Sequence, residues 1–182
     1  MPESSPNRAA GLIYLGLSLD GRIAGPNHDV SFLDPYQDPS LGDLGFGAFM
    51  ASIDALVMGR STWEVVQSFD GWFYGDTPIY VRTTRPLTGA THGEQPVSGP
   101  MTRLLQDLHA QGHRRVYIDG GKTVQDALVE DVADEMTLTI VPELLGEGPV
   151  LFAEGLPRSR WTRTHVTTRE DGPVQVCWTR RR

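Results

Sequence analysis

The sequence predicts an α/β domain with a mainly parallel central sheet, helices on both of its faces and an antiparallel C-terminal edge. Three observations predict it. Short, nearly all-apolar runs recur at GLIYLGLSL (11–19), ALVM (55–58), PIYV (78–81), RRVYID (114–119) and EMTLTIVP (135–142). Segments with helical character separate several of them, at 44–53, 62–67, 101–111 and 122–130. Beyond 142 no helical segment follows, and the stretch from Trp161 to Trp178 alternates about Asp171-Gly172 as an antiparallel hairpin does.

The first run is too short for a typical helix and is apolar throughout, as befits a central strand buried on both faces. A loop rich in Gly, Pro, Asn and Asp follows from Asp20 to about Gly42. An irregular segment of that length inside a compact domain is usually functional or mobile. Residues 44–53 form a short helix, and Asp54 leads into the strand ending at Gly59. Ser61 with Glu64 three residues on fits a capping box for a helix beginning near Thr62. The Thr-, Gly- and Pro-rich stretch 82–100 reads as loop or irregular edge structure. The helix 101–111 sets Met101, Leu104, Leu105 and Leu108 on one face and stops at Gly112. Gly120-Gly121 then opens the next helix directly from a strand.

The chain's 182 residues suit one domain, 11–182, behind a disordered leader at 1–10. No apolar run approaches the ~20 residues of a membrane span, and MPESSPNRAA lacks the apolar core of a signal peptide. Cys177 is the only cysteine, so neither an internal disulfide nor a Cys-rich metal site is available. These features point to the cytoplasm. A formal charge of −7 argues against non-specific nucleic-acid binding, though not against a small anionic cofactor held by local donors. The arginines at 180–182 read as a solvated tail.

Three donor sets stand at strand ends. In VYIDGGKTVQDAL (116–128) a strand stops at paired glycines and a helix starts at once, so its unpaired N–H groups and dipole face whatever lies ahead. Lys122 and Thr123 add a cation and a hydroxyl there; the alternative is a Gly-Gly turn that only lets strand and helix pack closely. In ALVMGRSTWE (55–64), Arg60, Ser61 and Thr62 follow Gly59 and can grip a phosphate, or Ser61 is only a cap and Arg60 is solvated. In VRTTRP (81–86) four polar residues follow a strand, a composition that also suits an ordinary surface loop. All three fall after the C-terminal ends of strands, the edge at which open α/β sheets bind ligands.

The strings SLDGRIAGP, MGRSTWE and IDGGKT, in that order, resemble the dihydrofolate reductase superfamily. With PELLGEGPVLF (142–152) they most resemble the reductase domain of the riboflavin-pathway bifunctional deaminase–reductase and its stand-alone relatives, over about Gly11 to Phe152. The resemblance implies a dihydrofolate reductase-like three-layer fold, bound NADPH and hydride transfer to a small heterocyclic substrate, as in 5-amino-6-(5-phosphoribosylamino)uracil reduction. It also suggests a homodimer. Carried over by position, Gly59, Arg60, Ser61 and Thr62 match the turn holding the cofactor phosphates, and Arg82 and Thr83 the loop at the adenosine 2′-phosphate. Ile118, Gly120, Gly121, Lys122, Thr123 and Val124 match the diphosphate turn and the wall near the nicotinamide. Gly16, Ala24 and Gly25 match the meeting of the first strand and its loop with nicotinamide and substrate.

This sequence departs from the riboflavin group in two ways. The zinc-binding deaminase half is absent, and the first strand lacks that group's threonine–lysine pair. The rivals are a dihydrofolate reductase, for which Asp43 stands where the pocket acid is expected, and an NADP-binding module without turnover. An Asp ahead of a helix is also a common cap. No G-x-G-x-x-G is present, which disfavours a Rossmann dehydrogenase. His28, 92, 109, 113 and 165 show no metal spacing, and His28 alone lies in the loop expected over the site.

Overall fold

Each apolar run forms a strand. The computed structural model describes residues 7–182 and places β1 at Ala10–Leu17, β2 at Ala55–Gly59, β3 at Ile79–Arg82, β5 at Arg115–Asp119 and β6 at Ala133–Ile140. β4 (Gln95–Val97), β7 (Arg160–Thr168) and β8 (Val174–Arg181) complete one eight-stranded sheet in the order β4-β3-β2-β5-β1-β6-β8-β7. Every pairing from β4 across to β6 is parallel; β8 pairs antiparallel with both β6 and β7.

Among the described residues, four α-helices cover the two faces: α1 (Phe46–Ser52), α2 (Arg60–Val66), α3 (Met101–Ala110) and α4 (Gly121–Val129). Strand alternation divides the apolar residues between two clusters. Val57, Val116 and Ile118 pack with Met101, Leu105, Val124 and Ala127 of α3 and α4. Leu56, Met58 and Tyr117 pack with Trp63 and Val66 of α2, and with Phe49 and Met50 of α1. The result is the three-layer, dihydrofolate reductase-like fold. Among the described residues, no helix is long and apolar enough to cross a membrane.

Several expectations need correction. Residues 1–6 lie outside the described residues, but Arg8 to Ala10 are part of the fold rather than of a leader. Ala9 is fully buried, Arg8 pairs bidentately with Asp134, and Ala10 begins β1. The stretch 82–100 contains β4, a three-residue edge strand whose Pro96 weakens the sequence signal and is tolerated only at an edge. The arginines at 180–182 do not form a tail: Arg181 closes β8, Arg180 pairs with Asp131, and Arg182 with Asp134. The helix expected at 44–53 starts only at Phe46, because Leu44 (φ 54°) and Gly45 (φ 86°) are left-handed. The capping box is not formed. α2 begins at Arg60 with Gly59 as its cap, which leaves Ser61 inside the helix, and Glu64 turns back to the Arg60 guanidinium at 2.8 Å.

Candidate functional site

β2, β3 and β5 are parallel, so their C-terminal ends deliver Gly59, Arg82 and Asp119 to one edge of the sheet. A cleft of 840 Å³ opens there. Its floor is made of close backbone approaches. Gly120 has φ 87°, a conformation side chains rarely adopt, and a Cβ on it would stand 2.2 Å from Thr62 Oγ1. A Cβ on Gly59 would come within 3.0 Å of Thr123 Oγ1. Gly121, the first residue of α4, is not left-handed, but a Cβ there would lie 2.1 Å from Ile23 Cδ1. The turn therefore presents bare backbone and two threonine hydroxyls at a helix N-terminus, a combination suited to a diphosphate.

The cations beside this floor are not isolated charges. Arg60 pairs with Glu64 and donates to Thr83 Oγ1 (3.3 Å) and the carbonyls of Arg85 and Pro86. Arg82 and Lys122 share Asp126, at 2.9 and 2.5 Å. Both cations hold the Asp126 carboxyl below its usual range despite partial burial. With Arg85, four cations stand with three carboxylates, Glu64, Asp126 and Asp119, leaving a net positive patch on an acidic protein. Arg82 also donates to Gly99 O, which ties the ends of β3 and β4 together.

Beside the glycine floor, the loop after β1 is braced by the segment resembling the riboflavin group. Asp20 accepts from Ser18 Oγ and from the N–H groups of Leu145 and Gly146, which hold its carboxyl well below the usual range. Arg22 donates to the carbonyls of Gly146 and Gly148. Gly148 (φ 106°) lies so close to Ala24 that a Cβ would stand 2.1 Å from its carbonyl oxygen. These contacts set Ile23, Ala24, His28, Val30 and Leu33 along the cleft that Val65, Phe69 and Tyr74 also line. Gly16 leaves room for Leu33, whose Cδ2 would be 2.8 Å from a Cβ there.

Of the residues singled out from sequence, Gly16, Ala24, Gly59, Arg60, Ser61, Thr62, Arg82, Thr83, Gly120, Gly121, Lys122 and Thr123 line this cleft together. Ile118 and Val124 do not. Both are fully buried in the core under α4, where the alternation of β5 and the inner face of α4 direct them. Gly25 lies outside the cleft and lines a small recess with Pro26 and Phe32. Asp43 is exposed and outside the cleft; its carboxylate accepts from Gly45 N (2.8 Å) and Gly47 N (2.7 Å). Those bonds lower its pKa, the opposite of what a pocket acid shows. Asp43→Ala is expected to reduce thermal stability without altering ligand binding in the cleft. The loss should shrink in acid, because a lowered carboxylate pKa gives stability above the unfolded value that vanishes as the group protonates. Melting curves of the two proteins at neutral and acid pH check this.

Sequence reasoning missed the cleft's own acid. Asp119 ends β5 on the α1/α2 side, is only 8% exposed, and accepts from Gly120 N at 2.7 Å. Burial pushes its pKa up to about 6, outweighing that hydrogen bond. Tyr117 and Tyr74 are buried near it, and their hydroxyls are raised as well. The available signal was an ionisable residue at the end of an otherwise apolar strand, one position before the glycine pair.

Residues 76–174 match the RibD C-terminal domain family. The uncharacterized Bacillus subtilis (strain 168) protein YwjB is 31% identical over 145 residues, covering 79% of this chain and 82% of its own length. The crystal structure of a putative riboflavin biosynthesis protein from Shewanella sp. PV-4 superposes with a TM-score of 0.88 at 35% identity, over 95% of this chain and 99% of that one. A dihydrofolate reductase from Enterococcus faecalis, complexed with NADP(H), shares the fold with a TM-score of 0.66 at 17% identity, over 95% and 97% of the two chains.

Proposed function

The chain belongs to the RibD C-terminal domain family, and from that premise we propose that it is an NADPH-dependent reductase of the riboflavin-pathway type, acting on a small heterocyclic substrate. The observation that carries the proposal is the glycine floor. At Gly120 and Gly59 backbone lies within a Cβ's reach of Thr62 and Thr123, beneath a net positive patch. The residues present fit a dinucleotide phosphate group in chemistry and in shape.

Gly120, Gly121 and the first N–H groups of α4 would hold the diphosphate, with Thr62 and Thr123 donating hydroxyls. Arg82, Thr83 and Arg85 would meet the adenosine 2′-phosphate, while Arg60 braces their loop through its contacts at 83–86. Held in this way, NADPH would supply the hydride chemistry for reducing a C=N or carbonyl carbon. The chain's part is to position the acceptor, exclude water and hold the matching proton. Gly16, Ala24, Leu33, Val65, Val66 and Tyr74 line the cleft together. The Asp119 carboxyl keeps its proton nearer to neutrality than an exposed aspartate and delivers it to the nitrogen or oxygen beside the reduced carbon.

NADPH is expected to bind about tenfold or more tightly than NADH, since an arginine–phosphate contact adds ~1.5–3 kcal/mol. Titration of both cofactors against tryptophan fluorescence decides it. Equal dissociation constants would overturn the role given to the loop after β3.

A further inference from the structure

Two carboxylates pair with the cations of the cleft, and they stand differently. Glu64, on Arg60, is half exposed and lies outside the lining. Asp126 lies in the lining, with its side chain 23% exposed. It stands on the second turn of α4, and its two oxygens serve different elements. Oδ2 meets Arg82 Nη1 at the end of β3, and Oδ1 meets Lys122 Nζ on α4 itself. β2 stands between β3 and β5 in the sheet, so the carboxylate joins elements two strands apart. The two cations are not held alike. Arg82 is 19% exposed and has a second acceptor in Gly99 O. The Lys122 side chain is 82% exposed and, among the described residues, has Asp126 as its one acceptor. Glu130, the next residue along that face of the chain, is committed to α3, where it accepts from Met101 N, Thr102 N and Thr102 Oγ1.

We propose that Asp126 is a positioning residue that competes with the cofactor's diphosphate for Lys122, so that Lys122 passes from the carboxylate to the diphosphate as the cofactor binds. The proposal rests on the cofactor reading above. A carboxylate among phosphate-binding cations repels the ligand and occupies donors that the ligand needs. Lys122 can make the exchange. Its ammonium is a point charge on a flexible four-carbon stem, on the second residue of the helix whose N-terminus faces the diphosphate. Arg82 cannot follow without giving up Gly99 O, and with it the tie between β3 and β4. It stays on Asp126 and keeps that carboxylate compensated once Lys122 has left. The competition lowers affinity, and differences in affinity at one site lie mostly in the dissociation rate. Asp126 therefore speeds the release of spent cofactor, which a reductase must exchange at every turnover.

The test is a calorimetric double-mutant cycle of Asp126→Asn and Lys122→Met, read with NADPH, NADH and inorganic pyrophosphate. Asparagine keeps an oxygen for Arg82 and removes the charge that holds Lys122. Asp126→Asn should tighten all three ligands by about five- to tenfold, because all three carry a diphosphate. In the Lys122→Met background the same substitution should gain about twofold or less. A stopped-flow chase should show NADPH leaving Asp126→Asn more slowly than the wild type, by about the factor gained in affinity. Circular dichroism confirms the fold, and Asp126→Ala, with the better helix former, takes its place if the Asn variant does not fold. A purely structural Asp126 predicts the opposite sign, so unchanged or weaker binding by the folded variant would overturn the proposal. A gain confined to NADPH, or an equal gain without Lys122, would overturn it as well. Pyrophosphate separates the proposal from the reading beneath it. If neither dinucleotide binds the wild type while pyrophosphate does, with the gain dependent on Asp126 and Lys122, the cofactor reading falls and the exchange stands. If none of the three binds, both fall.

Discussion

Asp119→Asn is expected to lower turnover by about 10²–10⁴-fold, the range typical of a lost general acid, while NADPH affinity stays close to that of the wild type. Asparagine keeps the shape and can still accept from Gly120 N, so the floor of the cleft survives. What it removes is the proton. In the wild type the acid works in its protonated form, so kcat/KM should fall as pH rises through about 6, and the variant's residual activity should lose that limb. A structural role alone would leave the pH profile unchanged in shape.

The same carboxyl carries a stability signature that needs no substrate. Its folded pKa lies above the unfolded value, so the folded state retains a proton that the unfolded chain has lost. The associated stability is full below pH ~4 and is lost as pH rises through about 6, by about 3 kcal/mol for a shift of this size. Asp119→Asn should therefore be more stable than the wild type at pH 7, with the difference vanishing near pH 4. Denaturant unfolding of both proteins across that range checks it. A constant difference would place the carboxyl in water rather than in the cleft wall.

How far the sequence led to this site depends on which physical signal each element left. Buried parallel strands leave long apolar runs, so β1, β2, β3, β5 and β6 were legible, as was α3 from Met101, Leu104, Leu105 and Leu108, all of which are buried. β4 left almost none, being three residues long, largely exposed and carrying a proline. At the site, the glycines were legible because a turn from strand to helix needs them. The partners that modulate the cations were not: Asp126 follows Lys122 by one helical turn, but only the tertiary fold brings Arg82 to it from β3. Ile118 and Val124 flank the glycine pair in sequence, yet strand and helix periodicity turns both into the core. Asp43 and Asp119 show the limit most plainly. Both are single aspartates next to a helix start, and only burial tells a solvent-exposed cap from a pocket acid.

Gly121→Val is expected to abolish measurable NADPH binding, a loss of at least about 100-fold, while the fold persists. The backbone at Gly121 is not left-handed, so valine meets no conformational penalty of the kind that any side chain would meet at Gly120 with φ 87°. The first atom a Cβ meets is Ile23 Cδ1, the far end of a flexible side chain on the loop after β1, which can move aside. The core beneath α4, with Val124 and Ala127 fully buried, is untouched. Circular dichroism and the melting temperature should therefore stay near the wild type. The branched side chain would nevertheless stand on the first turn of α4, between its N–H groups and any diphosphate. Gly120→Ala provides the contrast. It combines an unfavourable φ with a 2.2 Å approach to Thr62 Oγ1, so it should lose stability as well as binding. If Gly121→Val proves folded and binds NADPH as the wild type does, the diphosphate does not lie on this turn.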